Sequence, residues 1–254
     1  IASLVLFFLV VYIQAIRVDI PLAFTSIRGV GRRWPLKFVY TSNMPVILTA
    51  ALLANLQLMG SMLYNRGIGI LGTVNQQGQA TDGLMYFISS PNNVAIQLFM
   101  LVWIGVTFAG SFVAFYKKMP KVGKITAISA VVGFAASFAL TFATVGLPLP
   151  IDIARVVGYL IFFMFFCGIF SIIWVSTSGM DAESVAGQIE ELGLQIPGFR
   201  RDPRIIREIL NRYIPTLAIL GGLTVGGLAA FADLTNAIGT GTGILLTVMI
   251  IYNF

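Results

Sequence analysis

The side chains that most often carry chemistry are scarce in this chain. Its 254 residues include no histidine and one cysteine, Cys167. No Ser–His or Cys–His pair can therefore form, and a His/Cys zinc site and an internal disulfide are excluded as well. Cys167 sits in the apolar run 162–167 and reads as a small buried or lipid-facing side chain. Charged groups deep inside an apolar stretch would mark a proton relay or an ion-coupled carrier. Here Asp152, Arg155 and Asp233 fall near the ends of such stretches, where a polar tip can reach the interface. The larger polar side chains on or near the stretches are Tyr12, Gln14, Asn55, Gln57 and Gln97. Asn55 and Gln57 point about 200° apart on a helix of about 3.6 residues per turn, so at most one faces a given partner. A hydrogen bond between helices is the plain role for Asn55. The run Gly239-Thr240-Gly241-Thr242-Gly243 has glycines like a phosphate loop but no lysine and no preceding strand. It reads as a tight turn opening a helix. No catalytic residue, cofactor or metal site is expected, and the chain reads as not an enzyme.

The elements that must position these residues are membrane spans. The chain is 57% hydrophobic and 10% charged, against about 25% charged in a soluble domain. Five uncharged stretches are long enough to cross a bilayer: 43–63, 94–116, 125–149, 156–175 and 213–232. They are too long for barrel strands and lack two-residue alternation. Both ends lie in apolar runs, 1–16 and from 243 onward, each shorter than a full span. The expectation is that both terminal helices extend beyond this sequence, giving seven spans in all.

Charge orients them. Of 16 basic residues, 14 fall in the segments 17–41, 117–124 and 176–212; the others are Arg66 and Arg155. With seven spans all three basic segments lie on one side, which the positive-inside rule makes cytoplasmic. The net charge of +6 is thus first a matter of topology. In segment 17–41, Pro21 and Gly29-Val30-Gly31 predict a hairpin-like excursion. Ser42 or Asn43 can cap the next helix, with Pro45 in its first turn. Segment 176–212 predicts a short helix over 182–192, with Val185, Ile189 and Leu192 on one face, broken at Pro197-Gly198. A second helix is expected over 204–212, and Pro215 is expected to begin the following span. The stretch 64–92 reads as a solvated loop with a short amphipathic piece near Leu84–Ile88. The hairpin 94–149, turned by Lys117, Lys118, Lys121 and Lys124, reads as a lipid-facing pair.

Five blocks give the chain a resemblance. Residues 34–48 (WPLKFVYTSNMPVIL), 54–58 (ANLQL), 198–200 (GFR), 212–215 (RYIP) and 241–248 (GTGILLTV) resemble archaeal SecY, in family order. The resemblance covers roughly 1–92 and 151–254. It implies an all-α, polytopic transmembrane bundle: the second five-helix half of a SecY-like channel, with family spans at 1–16, 43–63, 153–175, 214–233 and 243–254. The hairpin 94–149 would be an insertion, and 17–41 and 176–212 would be cytoplasmic loops. The family plug and first half lie outside this chain. Ile47 and Leu246 match the hydrophobic pore ring, with Met44 beside them, and Asn55 matches a polar position of the lateral gate. Arg28, Arg32, Arg33, Arg200 and Arg201 would dock a ribosome or motor. The implied partners are a SecE-type subunit and small accessory helical subunits, the ribosome through its RNA and proteins, the translocating polypeptide and membrane lipids. The implied activity is passage of unfolded secretory chains across the cell membrane and lateral release of membrane segments. A secondary transporter with a mid-membrane substrate site is the rival reading.

Overall fold

The computed structural model describes residues 2–24, 31–41, 43–67, 72–73, 80–90, 94–116, 122–144, 150–192, 194–195, 203–235 and 241–253. Nine helices and three short strands run in the order α1 (Ala2–Ala15), β1 (Arg17–Phe24), β2 (Gly31–Lys37), α2 (Met44–Asn65), α3 (Leu84–Ile88), α4 (Val94–Tyr116), α5 (Val122–Thr144), α6 (Pro150–Thr177), α7 (Ala182–Glu191), β3 (Leu194–Gln195), α8 (Pro203–Leu234) and α9 (Gly241–Asn253) among the described residues. Of these, α2, α5, α6 and α8 are long and apolar enough to cross a membrane on their described residues, while 3–15, 95–111 and 241–251 form shorter apolar helices. The expected all-α membrane bundle is the observed fold, with a small sheet added.

Two cores hold it together. The first lies within the bundle. Tyr159, Phe163 and Cys167 of α6 meet Val225, Ala229, Ala230 and Leu234 of α8, with Val10 of α1, Val46 of α2 and Leu245, Val248 and Met249 of α9 around them. Helices approach closely in lipid where side chains are small. A Cβ on Gly222 would stand 2.7 Å from the Ser171 Cβ, and one on Gly226 would stand 2.7 Å from the Cys167 Cβ. Hydroxyls stitch the same seam. Ser171 Oγ donates to the Ala218 carbonyl, and its contact with Thr41 Oγ1 is 3.0 Å. Thr49 Oγ1 lies 3.2 Å from Cys167 Sγ and donates to the Pro45 carbonyl at 2.7 Å.

The second core lies on the basic side. Ile20 and Leu36 of the hairpin pack with Val175 of α6, Ala182, Val185, Ala186 and Ile189 of α7, and Ile206, Leu210, Ile214, Leu217 and Ala218 of α8. The expected hairpin is present: β1 and β2 pair antiparallel from Arg17↔Lys37 to Ala23↔Gly31. The sequence did not announce β3, which joins the other edge of β1 through Ala23↔Gln195 and Phe24↔Leu194. Two residues are too few to show alternation. The sheet order β2-β1-β3 ties basic segments 17–41 and 176–212 into one layer, as the orientation argument requires.

Three local expectations are corrected. Pro215 lies inside α8 instead of opening a span. An interior proline costs about 3 kcal/mol, but Ile214, Leu217 and Ala218 beside it are buried, and burying each large aliphatic returns about 1.5–3 kcal/mol. Helix α7 ends at Glu191, so Leu192 is its C-cap and is exposed, off the Val185–Ile189 face. Asn43 holds the N-cap position of α2 with Pro45 in the first turn, but its side chain makes no cap bond. Its helical backbone lets its own carbonyl accept from Val46 N and Ile47 N, both at 3.1 Å. The amide is buried and unpaired instead. Ser42 lies outside the described residues.

The hairpin α4–α5 packs chiefly on itself. Gly110 sits against Ser129, Gly133 sits against Trp103, and Trp103 Nε1 donates to the Ala130 carbonyl at 3.0 Å. Ile128, Val131, Val132, Phe138 and Phe142 of α5 remain exposed.

Candidate functional site

Helices α2 and α9 carry the residues matched to the pore ring, and the two helices touch. Each divides its side chains between a covered and an uncovered face. On α2, Val46 and Thr49 are buried, whereas Met44 and Leu48 are 41% and 37% exposed. On α9, Leu245 and Val248 are buried, whereas Leu246, Ile250 and Ile251 are exposed. Met44 and Leu246 therefore lie on faces that the bundle leaves open, and Ile47 is half-buried at the margin of the α2 face. Asn55 is exposed and belongs to the same stripe as Met44. Eleven residues of α-helix bring the chain back to within about 20° of its starting direction. The interhelical bond considered for Asn55 does not form among the described residues. Leu58, Met59 and Met62 continue the open face toward the far end.

The end of this arrangement away from the basic layer is held by two groups whose reach the sequence misjudged. Asp233 does not extend to the interface. Its carboxylate accepts from Tyr159 Oη at 2.8 Å and from Gly241 N at 2.7 Å, which fixes the start of α9 against α6 and α8. Gly241 packs directly on the Ala229 carbonyl, so no side chain fits there. Of the turn expected at 239–243, residues 239–240 lie outside the described residues and Gly241, Thr242 and Gly243 already open α9. Arg155 likewise turns inward. It donates to Ser89 Oγ at 2.9 Å and to the Ser90 carbonyl at 3.2 Å, and lies 4.3 Å from the Tyr86 ring centre. It thereby holds α3, whose Met85 and Ile88 are buried, on the bundle. No sequence signal marks this contact, because the N-cap rule reads only the residue next to the helix start.

On the basic side, Arg32 and Arg33 lie on β2, opposite Leu22 and Pro21. Arg28, Arg200 and Arg201 lie outside the described residues. Asp181 caps α7, accepting from Glu183 N, Ser184 N and Ser184 Oγ. The Ser184 bond, foremost among these, holds the carboxyl below its usual range. Tyr40 Oη donates to the Met180 carbonyl at 2.7 Å. Burial, then the charge of Asp181, pushes this phenol up to about 12. Arg207 meets Glu183 at 3.2 Å in an exposed pair. No cluster of three potential metal ligands occurs among the described residues.

An open aliphatic face on two touching spans, backed by a small layer of sheet and helix on the basic side, fits the family suggested by the sequence blocks. The family described as SecY matches residues 1–254. The chain belongs to the SecY family. The protein translocase subunit SecY of Methanothermobacter thermautotrophicus is 37% identical over 255 residues, covering 99% of this chain and 44% of that protein. A solved structure of a protein conducting channel superposes with TM-score 0.69 at 35% identity, over 99% of this chain and 46% of the other. Sec61 in the canine ribosome–channel complex from the endoplasmic reticulum gives 0.63 at 35% identity, again over 99% and 46%. This SecY-family chain spans about half the length of the curated relatives it matches. It is a multi-pass membrane protein.

Proposed function

We propose that this chain supplies the second half of a protein-conducting channel, passing unfolded secretory chains across the membrane and releasing membrane segments sideways into lipid. The observation that carries the reading is the open face of α2 and α9. Met44, Ile47, Leu48, Leu246 and Ile250 form it without a charged side chain. An aliphatic constriction blocks ions when empty and offers a moving polypeptide no hydrogen bond to hold it. Asn55, on the same stripe of α2, would line the lateral gate, where one polar group shifts an open–closed balance by roughly 1 kcal/mol. A transporter would need convergent polar groups at mid-membrane, and these faces offer little besides Asn55 and Thr247.

The partners follow from the same reading. The cytoplasmic layer, with Arg28, Arg32, Arg33, Arg200 and Arg201, would meet the ribosome or another motor, and the canine relative in its ribosome–channel complex supports this. A SecE-type subunit would brace the channel halves. The hairpin 94–149 would be an addition to the family's five spans, standing outside the polypeptide path. The channel would carry no catalytic activity of its own.

Crosslinking tests it. In the full-length protein with Cys167→Ser, single cysteines at Ile47, Leu246 and Val106 are challenged with a stalled secretory chain bearing its own cysteine. Crosslinks at Ile47 and Leu246 but not Val106 are expected. A confirmed stall with no crosslink at either ring position would refute the reading.

A further inference from the structure

We propose that the Asp233 carboxylate and the Tyr159 hydroxyl form a latch that sets the height of Leu246 in the channel constriction, and with it how tightly the resting channel excludes ions. The inference rests on the channel reading of the α2 and α9 faces. Asp233 is the last charged residue of α8, and each of its oxygens serves a different helix. Oδ2 accepts from Tyr159 Oη of α6 at 2.8 Å, and Oδ1 accepts from the N–H of Gly241, the first residue of α9, at 2.7 Å. Tyr159 is buried in the bundle core, so packing fixes its ring and aims its hydroxyl. The Ala229 carbonyl stands where a Cβ on Gly241 would be, which lets the first turn of α9 lie directly on α8. Three helices thus meet at one carboxylate.

The latch matters because of how else α9 is held. Leu245, Val248 and Met249 pack into the bundle core. Apolar contact is non-directional and resists separation more than sliding, whereas a hydrogen bond is directional and resists both. Leu246 lies five residues beyond Gly241 on one unbroken helix, about 7.5 Å along its axis. A shift of the first turn therefore carries Leu246 with it. The other ring helix takes its position from the same frame. Thr41, just before α2, lies 3.0 Å from Ser171 Oγ, and Thr49 of α2 lies 3.2 Å from Cys167 Sγ, both partners being on α6. Helix α6 thus registers Ile47 through one set of contacts and Leu246 through the other. Loss of the latch frees Leu246 and leaves Ile47 in place.

The test uses the full-length protein with its partner subunits in proteoliposomes and reads small-ion leak through the resting channel. Tyr159→Phe removes the donor and Asp233→Ala removes both acceptors. Each should raise the leak about tenfold, the shift expected when a hydrogen bond to a charged group is lost. Asp233→Asn keeps an acceptor for Gly241 N and offers an amide donor to the Tyr159 oxygen, so it should leak like wild type. Ile189→Ala weakens the second core, away from the latch, and should lower the thermal midpoint without raising the leak. Unchanged leak in both Tyr159→Phe and Asp233→Ala would overturn the proposal. So would a leak in Ile189→Ala as large as theirs, which would assign the effect to general loss of stability. The stalled-chain crosslinks at Ile47 and Leu246 are measured alongside. Crosslinks present with the leak unchanged would remove the latch and leave the channel reading standing, and crosslinks absent at both positions would overturn the two together. Tyr159→Phe keeps the buried ring, so the comparison remains decisive if Asp233→Ala fails to fold.

Discussion

Gly222→Ala should separate α6 from α8, while Gly227→Ala, five residues further along, should not. At Gly222 the added Cβ would stand 2.7 Å from Ser171 Cβ and 2.9 Å from the Cys167 carbonyl oxygen. Ordinary carbon contacts lie near 3.5–4.0 Å, so roughly 1 Å of space is missing. Neither neighbour can yield. The carbonyl is part of the α6 backbone, and Ser171 is pinned between Thr41 and the Ala218 carbonyl. Overpacking of this kind costs about 1–3 kcal/mol, against a gain of up to about 1 kcal/mol from replacing glycine in a helix. At Gly227 the new Cβ meets only the Met164 Sδ at 3.6 Å and Cε at 3.7 Å. These are normal contacts with a flexible side chain, so the helix gain stands alone. The variants should therefore differ by about 2 kcal/mol, with wild type between them. Cys167 supplies the assay. It is the sole thiol, fully buried in the same seam, so a thiol-reactive fluorophore reports opening as detergent-solubilised protein is heated. Gly222→Ala should label at lower temperature than wild type, and Gly227→Ala at equal or higher temperature. The reverse order, or an equal fall in both, would refute the close-packing argument.

Ile189→Ala, at a side chain 1% exposed in the core on the basic side, should cost about 2–5 kcal/mol and open segment 176–212 to protease while the bundle stays intact. Asp181→Ala removes the α7 cap and should cost about 1 kcal/mol, read by the same cleavage. Because that carboxyl titrates below its usual range in the folded protein, its contribution is present above the unfolded value and fades as pH falls through the folded one. Tyr40 works in the opposite sense. Its phenol is raised to about 12 from about 10 when unfolded. The folded state keeps the proton longer, and stability present below pH ~10 is lost as pH rises toward ~12. Tyr40→Phe should remove that alkaline fall from the thermal midpoint.

The spans were legible because a bilayer demands long uncharged runs. What escaped the sequence was set by contacts distant in the chain. The partner of β1 is a two-residue strand some 170 positions away. Pro215 looks like a helix boundary until its neighbours are seen to be buried on both sides. Asp233 and Arg155 look like interfacial groups until Tyr159 and Gly241, or Ser89 and Tyr86, are found beside them. The candidate ring positions came from motif matching. The fold adds that Met44 and Leu246 face away from the core while Val46 and Leu245 enter it.

Helix α8 has 32 residues without interruption, about 48 Å at 1.5 Å per residue. One end is embedded in the core on the basic side through Ile206 and Leu210. The other ends beside Asp233, which grips the first turn of α9. No loop intervenes, so the helix acts as a strut loaded from both ends. A sideways force applied to the sheet and α7 would reach the far end of the bundle as a tilt, delivered to the helix that bears Leu246. Its compliance is greatest at Pro215, which lies inside the helix and has no N–H to give the turn before it.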